Sequence, residues 1–261
     1  MDQKPIIPLA GQPSPQPAAR QETRLNQPSD PRLESAVDRV RQQLTRYRQE
    51  GLRLCSSSSF QTHSIPLLHL IARFAPDTPV YFLDTGFHFP ETLTFRDRIA
   101  ADLDLNVIDL RSAVGKMGQR DTSGQFLFAS DPDHCCYLNK TQPMQAVLPA
   151  YDIWIAGLRR DQNAHRKNLA AEMPGTGGVT RFHPVLEWDA RLIWAYRKLH
   201  DLPEHPLEAK GYFSVGCEPC TQKFDLEFDP ASATDRGGRW AGMKKTECGL
   251  HTDLVASNPP A

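Results

Sequence analysis

Apolar residues recur at helical spacing from Leu33 through Val37, Val40 and Leu44, and the run stops at Gly51. This predicts an amphipathic surface helix, with Ser29 and Asp30 before Pro31 as its N-cap signal. The pattern then alternates in type. Leu52 to Cys55 reads as a short strand, Ser64 to Phe74 as a helix, Val80 to Leu83 as a wholly apolar strand, Glu91 to Leu103 as a helix and Asn106 to Leu110 as a third strand. A helical stretch from about Leu138 to Val147 leads to a fourth strand, Asp152 to Ala156, and Trp188 to His200 reads as the last long helix. Alternation of this kind implies βαβ crossovers and a Rossmann-like parallel sheet with helices on both faces, an α/β fold. Ligands of such sheets lie at the carboxyl ends of the strands, which singles out Ser56–Phe60, Asp84–Phe89 and Gly157–Asp161.

The flanks read differently. Residues 1–31 are rich in Pro and Gln with few large apolar side chains, which predicts a disordered tail. Residues 32–224 form the expected α/β domain. From Asp225, Pro230, Gly237, Gly238 and Gly242 argue against any long element, so residues 225–261 read as a flexible arm. The chain of 261 residues carries a net charge of −1, which gives no global field for nucleic acid. Its apolar runs are too short to span a bilayer and its start lacks a signal-peptide layout, so a cytoplasmic location is expected.

Six cysteines are too few for a disulfide scaffold, and their spacing says more than their number. Cys135 and Cys136 are adjacent and Cys217 and Cys220 form a CxxC, while Cys55 and Cys248 stand alone. Four thiolates can hold zinc or an iron–sulfur cluster. Side chains of consecutive residues diverge, which suits ligation of different irons and favours a 4Fe-4S cluster. Lys140, one helical turn past Cys136, is placed to put a charge beside it. Cys248 lies in KKTECGLH near Lys244, Lys245 and His251, and cationic surroundings lower a thiol pKa from about 8.5 toward neutrality, the mark of a nucleophile. Cys55 reads as a small packing residue.

Three loops are candidates for an anionic ligand. CSSSSFQ places Ser57, Ser58, Ser59 and Phe60 between a strand and a helix, where hydroxyls and backbone N–H groups can cradle phosphate. LDTGFHFPET turns at Gly86 and offers Asp84 and Thr85 as a pocket wall. GLRRDQ puts Arg159 and Arg160 at a strand end, with Arg166 following, and guanidinium groups there suit bidentate capture of phosphate or sulfate. Arg236 and Arg239 lie just upstream of Cys248.

In order, SSSSFQ, LDTGFHFPET, the Cys pair, GLRRDQ, CxxC and RWAGMKKTECGLH resemble the adenylyl-sulfate and phosphoadenylyl-sulfate reductases of sulfate assimilation, over roughly Leu52 to His251. The resemblance implies an adenine nucleotide alpha-hydrolase-like, PP-loop-related domain. It further implies that Cys248 attacks adenosine 5′-phosphosulfate (APS), that thioredoxin or glutaredoxin reduces the resulting thiosulfonate to sulfite, and that Cys135, Cys136, Cys217 and Cys220 hold a 4Fe-4S cluster. Lys140 is then the neighbour of the cluster, and Arg166, Arg236 and Arg239 are substrate contacts. Intact cysteine pairs point to APS, whereas the SSSSFQ loop is closer to that of the cluster-free enzymes, which use the 3′-phosphorylated nucleotide (PAPS). The competing readings are a non-enzymatic redox sensor that binds metal through its four cysteines and a nucleotide-activating ligase, against which the missing SGGxDS pattern counts. A homo-oligomer is left open.

Overall fold

The computed structural model describes residues 31–223, 238–240, 242–243, 245 and 247–251. The candidate N-cap at Ser29 and Asp30, the tail before Pro31, Arg236 and Lys244 lie outside these residues. The first helix, α1, spans Pro31–Gln49. Its expected apolar stripe is there: Leu33, Ala36, Val40, Leu44 and Tyr47 are buried and the opposite face is exposed.

Six strands form one sheet: β1 Leu54–Ser57, β2 Val80–Leu83, β3 Val107–Leu110, β4 Ile153–Ala156, β5 Glu172–Pro174 and β6 Thr180–Phe182, in the order β3-β2-β1-β4-β6-β5. All pairings are parallel except β5 with β6. That terminal hairpin was not expected. Both of its strands have three residues, too short for a period-two pattern to stand out, and Pro174 reads as a turn residue. Proline is tolerated because β5 is an edge strand.

Helices α2 (Ile65–Phe74) and α3 (Pro90–Asp102) start within a residue of expectation, each with proline in its first turn. The short helices α4 (Leu127–Ser130) and α5 (Pro132–Cys136) follow. Where one helix from Leu138 was expected, α5 instead runs into a π-helical turn, Tyr137–Thr141, and then α6, Gln142–Val147. The last helix, α7, is Ala190–Leu199, capped by the Asp189 carboxylate accepting from the Leu192 N–H at 2.7 Å.

Period-two alternation splits the sheet cleanly. Leu54, Ile153, Ile155 and Phe182 pack against α1, α2 and α7, and Val80 and Phe82 against Phe95 and Ile99 of α3. Cys55, Tyr81, Leu83, Trp154 and Ala156 face the other way, onto Met144 and Leu148. Leu250 of the C-terminal arm joins this second layer. Cys55 is fully buried, which pushes its thiol up to about 12. It is a packing residue, as its isolation suggested.

Candidate active site

Strand β1 is flanked by β2 on one side and β4 on the other, so the chain leaves β1 in one direction and returns in the other. The crevice at such a reversal is where open α/β sheets bind ligands. One cleft lies there, lined among others by Ser57, Ser58, Ser59, Gly157, Arg166 and Cys248.

The serine loop owes its shape to Phe60. This residue takes a left-handed backbone (φ 53°), its ring is fully buried edge-on against Phe82 at 5.8 Å, and its N–H donates to the Ser58 hydroxyl at 3.1 Å. Driving one apolar ring into the core pins a loop that has no glycine and leaves Ser57, Ser58, Ser59 and Gln61 on the cleft. Phe60 is thus an anchor and lines no part of it. Ser57 also accepts a 2.9 Å hydrogen bond from the Trp154 indole.

Other expected contacts are relocated too. Asp84 pairs with Arg111 at 2.7 Å and accepts from the Gly86 N–H at 3.1 Å, closing the turn. Gly86, with φ 70°, serves that turn and does not reach the cleft. Thr85 faces the cysteines: its hydroxyl accepts from the Phe87 N–H at 3.2 Å and lies 3.3 Å from Cys217 Sγ. Arg159 is buried, ion-paired to Asp161 at 2.9 Å, and donates to His63 Nδ1 at 3.2 Å. Arg160 pairs with Glu187 at 2.6 Å. Neither arginine lines the cleft; each is engaged by an acidic partner that a strand-end position does not reveal. Arg166 and Arg239 do line it.

Cys135, Cys136, Cys217 and Cys220 all line a second, small cavity walled by Phe87, Phe128 and Trp240. Asn139 Nδ2 lies 3.6 Å from Cys135 Sγ, and is itself oriented by a reciprocal pair of hydrogen bonds with Gln119 (2.6 and 2.9 Å). No three His, Cys, Asp or Glu among the described residues converge as they would on one ion. Four cysteine thiols around one cavity are a donor set of the kind that holds an iron–sulfur cluster. Antiparallel pairing of His88 with Cys217 and a 2.7 Å bond from Glu218 N–H to the Phe87 carbonyl tie the CxxC turn to the loop after β2.

Lys140, Cys217 and Arg239 line both cavities and so stand between them. The π turn carries Lys140, and its Nζ lies 3.7 Å from Cys248 Sγ. Burial works against the ammonium, yet the thiols of Cys217, Cys248 and Cys136 raise its pKa above the ordinary lysine range. In the other direction, a hydrogen bond from Cys136 and the charge of Lys140 hold the Cys248 thiol well below its usual range against burial. Lys245 is buried and ion-paired to Asp133. His251 stacks on Trp154 at 6.2 Å, and burial pushes its pKa down to about 3. It is also among the groups that hold the Cys248 thiol low, after Cys136 and Lys140.

The described arm residues are docked onto the domain. Trp240, Lys245, Glu247 and Leu250 are buried. The Arg239 side chain packs directly against Gly216, with its guanidinium 4.5 Å over the Trp240 ring. Sequence reasoning missed Gln61, His63, His88, Gln162 and Glu247, of which the first four line the cleft. Gln61, His88 and Gln162 lie within the motifs singled out in the sequence and Glu247 beside Cys248, while His63 carried no such signal.

Residues 53–223 match the phosphoadenosine phosphosulfate reductase domain family. The chain belongs to this family. Membership makes it an oxidoreductase acting on a sulfur group. It is 39% identical to the phosphoadenosine 5′-phosphosulfate reductase of Gloeobacter violaceus over 207 residues, covering 77% of this chain and 83% of the relative. It is 40% identical to the adenosine 5′-phosphosulfate reductase of a Chelativorans species over 212 residues, covering 80% and 82%. Among solved structures, the phosphoadenylyl-sulfate reductase of Candida auris superposes with a TM-score of 0.56 at 22% identity, covering 68% of this chain and 88% of that one. The FMN adenylyltransferase of Candida glabrata, at 12% identity, gives 0.57 over 89% and 83%. These two likenesses establish a fold shared with nucleotide-binding enzymes. No helix among the described residues is long and apolar enough to cross a membrane.

Proposed function

We propose that the chain reduces adenosine 5′-phosphosulfate to sulfite and AMP, with Cys248 as the nucleophile and thioredoxin or glutaredoxin as the electron donor in the cytoplasm. The observation that carries this reading is the position of Cys248 Sγ, 3.7 Å from Lys140 Nζ in a cleft shared with the serine loop, Arg166 and Arg239 at the sheet's reversal point.

In the first half-reaction the Cys248 thiolate attacks the sulfate sulfur. An S–S bond forms, the S–O bond to the nucleotide breaks, and AMP leaves with the bonding pair. Lys140 and Arg239 offset the negative charge of the phosphosulfate, without which a thiolate is repelled. The hydroxyls of Ser57 to Ser59 and the start of α2 bind the phosphate side. In the second half-reaction a reductant thiolate attacks Cys248 Sγ and sulfite departs. A second thiol of the reductant resolves the mixed disulfide, so two electrons come from the reductant and none from the protein.

Cys135, Cys136, Cys217 and Cys220 are the residues that would hold a 4Fe-4S cluster. Bound there, it supplies a fixed charge beside the substrate and a covalent tie between the Cys pair and the CxxC turn. With Cys136 bound to iron its sulfur has no proton to donate, and Lys140 is left as the group that favours the Cys248 thiolate. Asn139 and Thr85 would donate to ligand sulfurs.

PAPS is the second reading, favoured by the name of the Gloeobacter relative and by the SSSSFQ loop. The test is sulfite release by anaerobically purified enzyme given thioredoxin and each nucleotide. Faster turnover of APS is expected, and Cys248→Ser abolishes sulfite release while nucleotide binding and brown colour persist. Retained turnover in Cys248→Ser excludes this cysteine as the nucleophile.

A further inference from the structure

The residue before the nucleophile has no place in the chemistry just described, yet among the described residues it makes the most heavily bonded contact between the arm and the domain. The Glu247 carboxylate takes two parallel hydrogen bonds from the Arg166 guanidinium, Nε to Oε2 at 2.7 Å and Nη2 to Oε1 at 2.9 Å. It accepts a third from Asn163 Nδ2 at 2.8 Å. A fourth comes from the backbone N–H of Cys248 itself, to Oε1 at 2.7 Å. Both side chains are almost wholly buried, at 6% and 3% exposure. Arg166 is fixed in turn: its N–H donates to the Asn163 side chain at 2.9 Å, and Nη1 contacts Gln162.

This geometry has two consequences. A buried, two-point Arg–carboxylate pair is strongly directional, so the carboxylate that accepts from the Cys248 N–H also dictates where the Cys248 sulfur sits relative to Lys140. Removing one partner of such a pair strands the other as a buried charge, which favours release of the arm. The first consequence serves sulfur transfer, which needs the thiol over the cleft.

We propose that Glu247 is a positioning residue, the latch that holds the C-terminal arm closed on Arg166 and so sets Cys248 against the bound nucleotide. This rests on the reading of Cys248 as the nucleophile. Arg166 then acts on the reaction chiefly through the arm, and its contact with substrate, implied by family resemblance, is made while it is already engaged by Glu247. Arg239, which has no carboxylate partner of this kind among the described residues, is the freer cation of the two for the phosphosulfate.

The test separates the latch from the chemistry. In the anaerobic holoenzyme, the rate at which iodoacetamide labels Cys248, located by peptide mass, reads exposure of the arm. Measured at pH 9, where an ordinary thiol is largely ionised, it is little affected by changes in activation. Glu247→Gln and Glu247→Ala are expected to raise this rate on the order of a hundredfold, with Glu247→Asp between them and wild type. Combining Glu247→Ala with Arg166→Ala should add little to Arg166→Ala alone, because one interaction is lost in all three variants. In single turnover without reductant, Glu247→Gln should slow thiosulfonate formation at saturating nucleotide while nucleotide Kd stays within threefold. Labelling within threefold of wild type in both Glu247→Gln and Glu247→Ala, or additive effects of the two alanine substitutions, overturns the proposal. The labelling readout needs no turnover, so a wild-type enzyme that forms no thiosulfonate would refute the functional reading and leave the latch still tested.

Discussion

Replacing Lys140 with methionine keeps the aliphatic stem and removes only the charge 3.7 Å from Cys248 Sγ. Two unit charges at that distance interact by about 4 kcal/mol at an effective dielectric near 20. Cys248 is partly exposed, so about half of that is a fair expectation. Even half is enough to decide whether the sulfur is a thiol or a thiolate at neutral pH, since about 1.4 kcal/mol is a tenfold change in ionisation. A thiol left at the ordinary pKa near 8.5 is only about 3% ionised at pH 7, which sets a loss of about 30-fold in the rate of attack. The sign follows from the direction of the shift. An ammonium 3.7 Å away lowers a thiol pKa, so wild-type Cys248 keeps its reactivity as pH falls toward neutrality, whereas the variant gains reactivity only as pH rises past 8. The assay is single-turnover formation of the thiosulfonate on the anaerobic enzyme from pH 6 to 9. The defect should be about 30-fold at pH 7 and shrink to a few-fold at pH 9, the remainder being the charge Lys140 gives to the departing nucleotide. A defect of the same size at every pH would show that Lys140 does not control ionisation, and no defect at all would remove it from the site.

Two further outcomes follow from particular contacts. A Cβ at Gly216 would occupy the space of the Arg239 guanidinium, the far end of a flexible side chain, so Gly216→Ala should displace that cation without unfolding the protein. A charged hydrogen bond to phosphate contributes about 1.5–3 kcal/mol, so nucleotide affinity measured by calorimetry should fall roughly 10- to 100-fold with the melting temperature within a few degrees. His205 is 2% exposed, accepts from the Leu207 N–H at 3.2 Å and lies 3.1 Å from Thr92 Oγ1, and burial lowers its pKa to about 4. The unfolded chain therefore takes up its proton first, and the stability present above about pH 6.5 is lost as pH falls toward 4, by about 1–2 kcal/mol at pH 5. In urea melts His205→Gln should flatten that part of the pH dependence, and an unchanged slope would assign the acid sensitivity elsewhere.

The scaffold and the inventory of chemistry were legible in the amino-acid order alone. Strand β2 came out residue for residue and β1, β3 and β4 within two residues; β2 and β4, buried on both faces, leave continuous apolar runs such as Val80–Leu83. Cys spacing separated four cysteines from Cys55 and Cys248, and the strand ends located the cleft. Folding settled which polar residues face that cleft. Arg159, Arg160 and Arg166 look alike in GLRRDQ and its sequel, yet Asp161 claims the first, Glu187 the second and Glu247 the third, from 2, 27 and 81 residues away. Phe60 was assigned to the ligand because its neighbours are hydroxyls, and the core claimed its ring. The hairpin β5–β6 and the π turn that presents Lys140 were illegible for a related reason: three residues, or one extra residue in a turn, leave no period to read. Periodicity records which side of an element is apolar, and that is a local property. The partner a buried charge finds is set by the requirement that it be paired wherever the chain brings an opposite charge near, and that is settled only once the chain has folded.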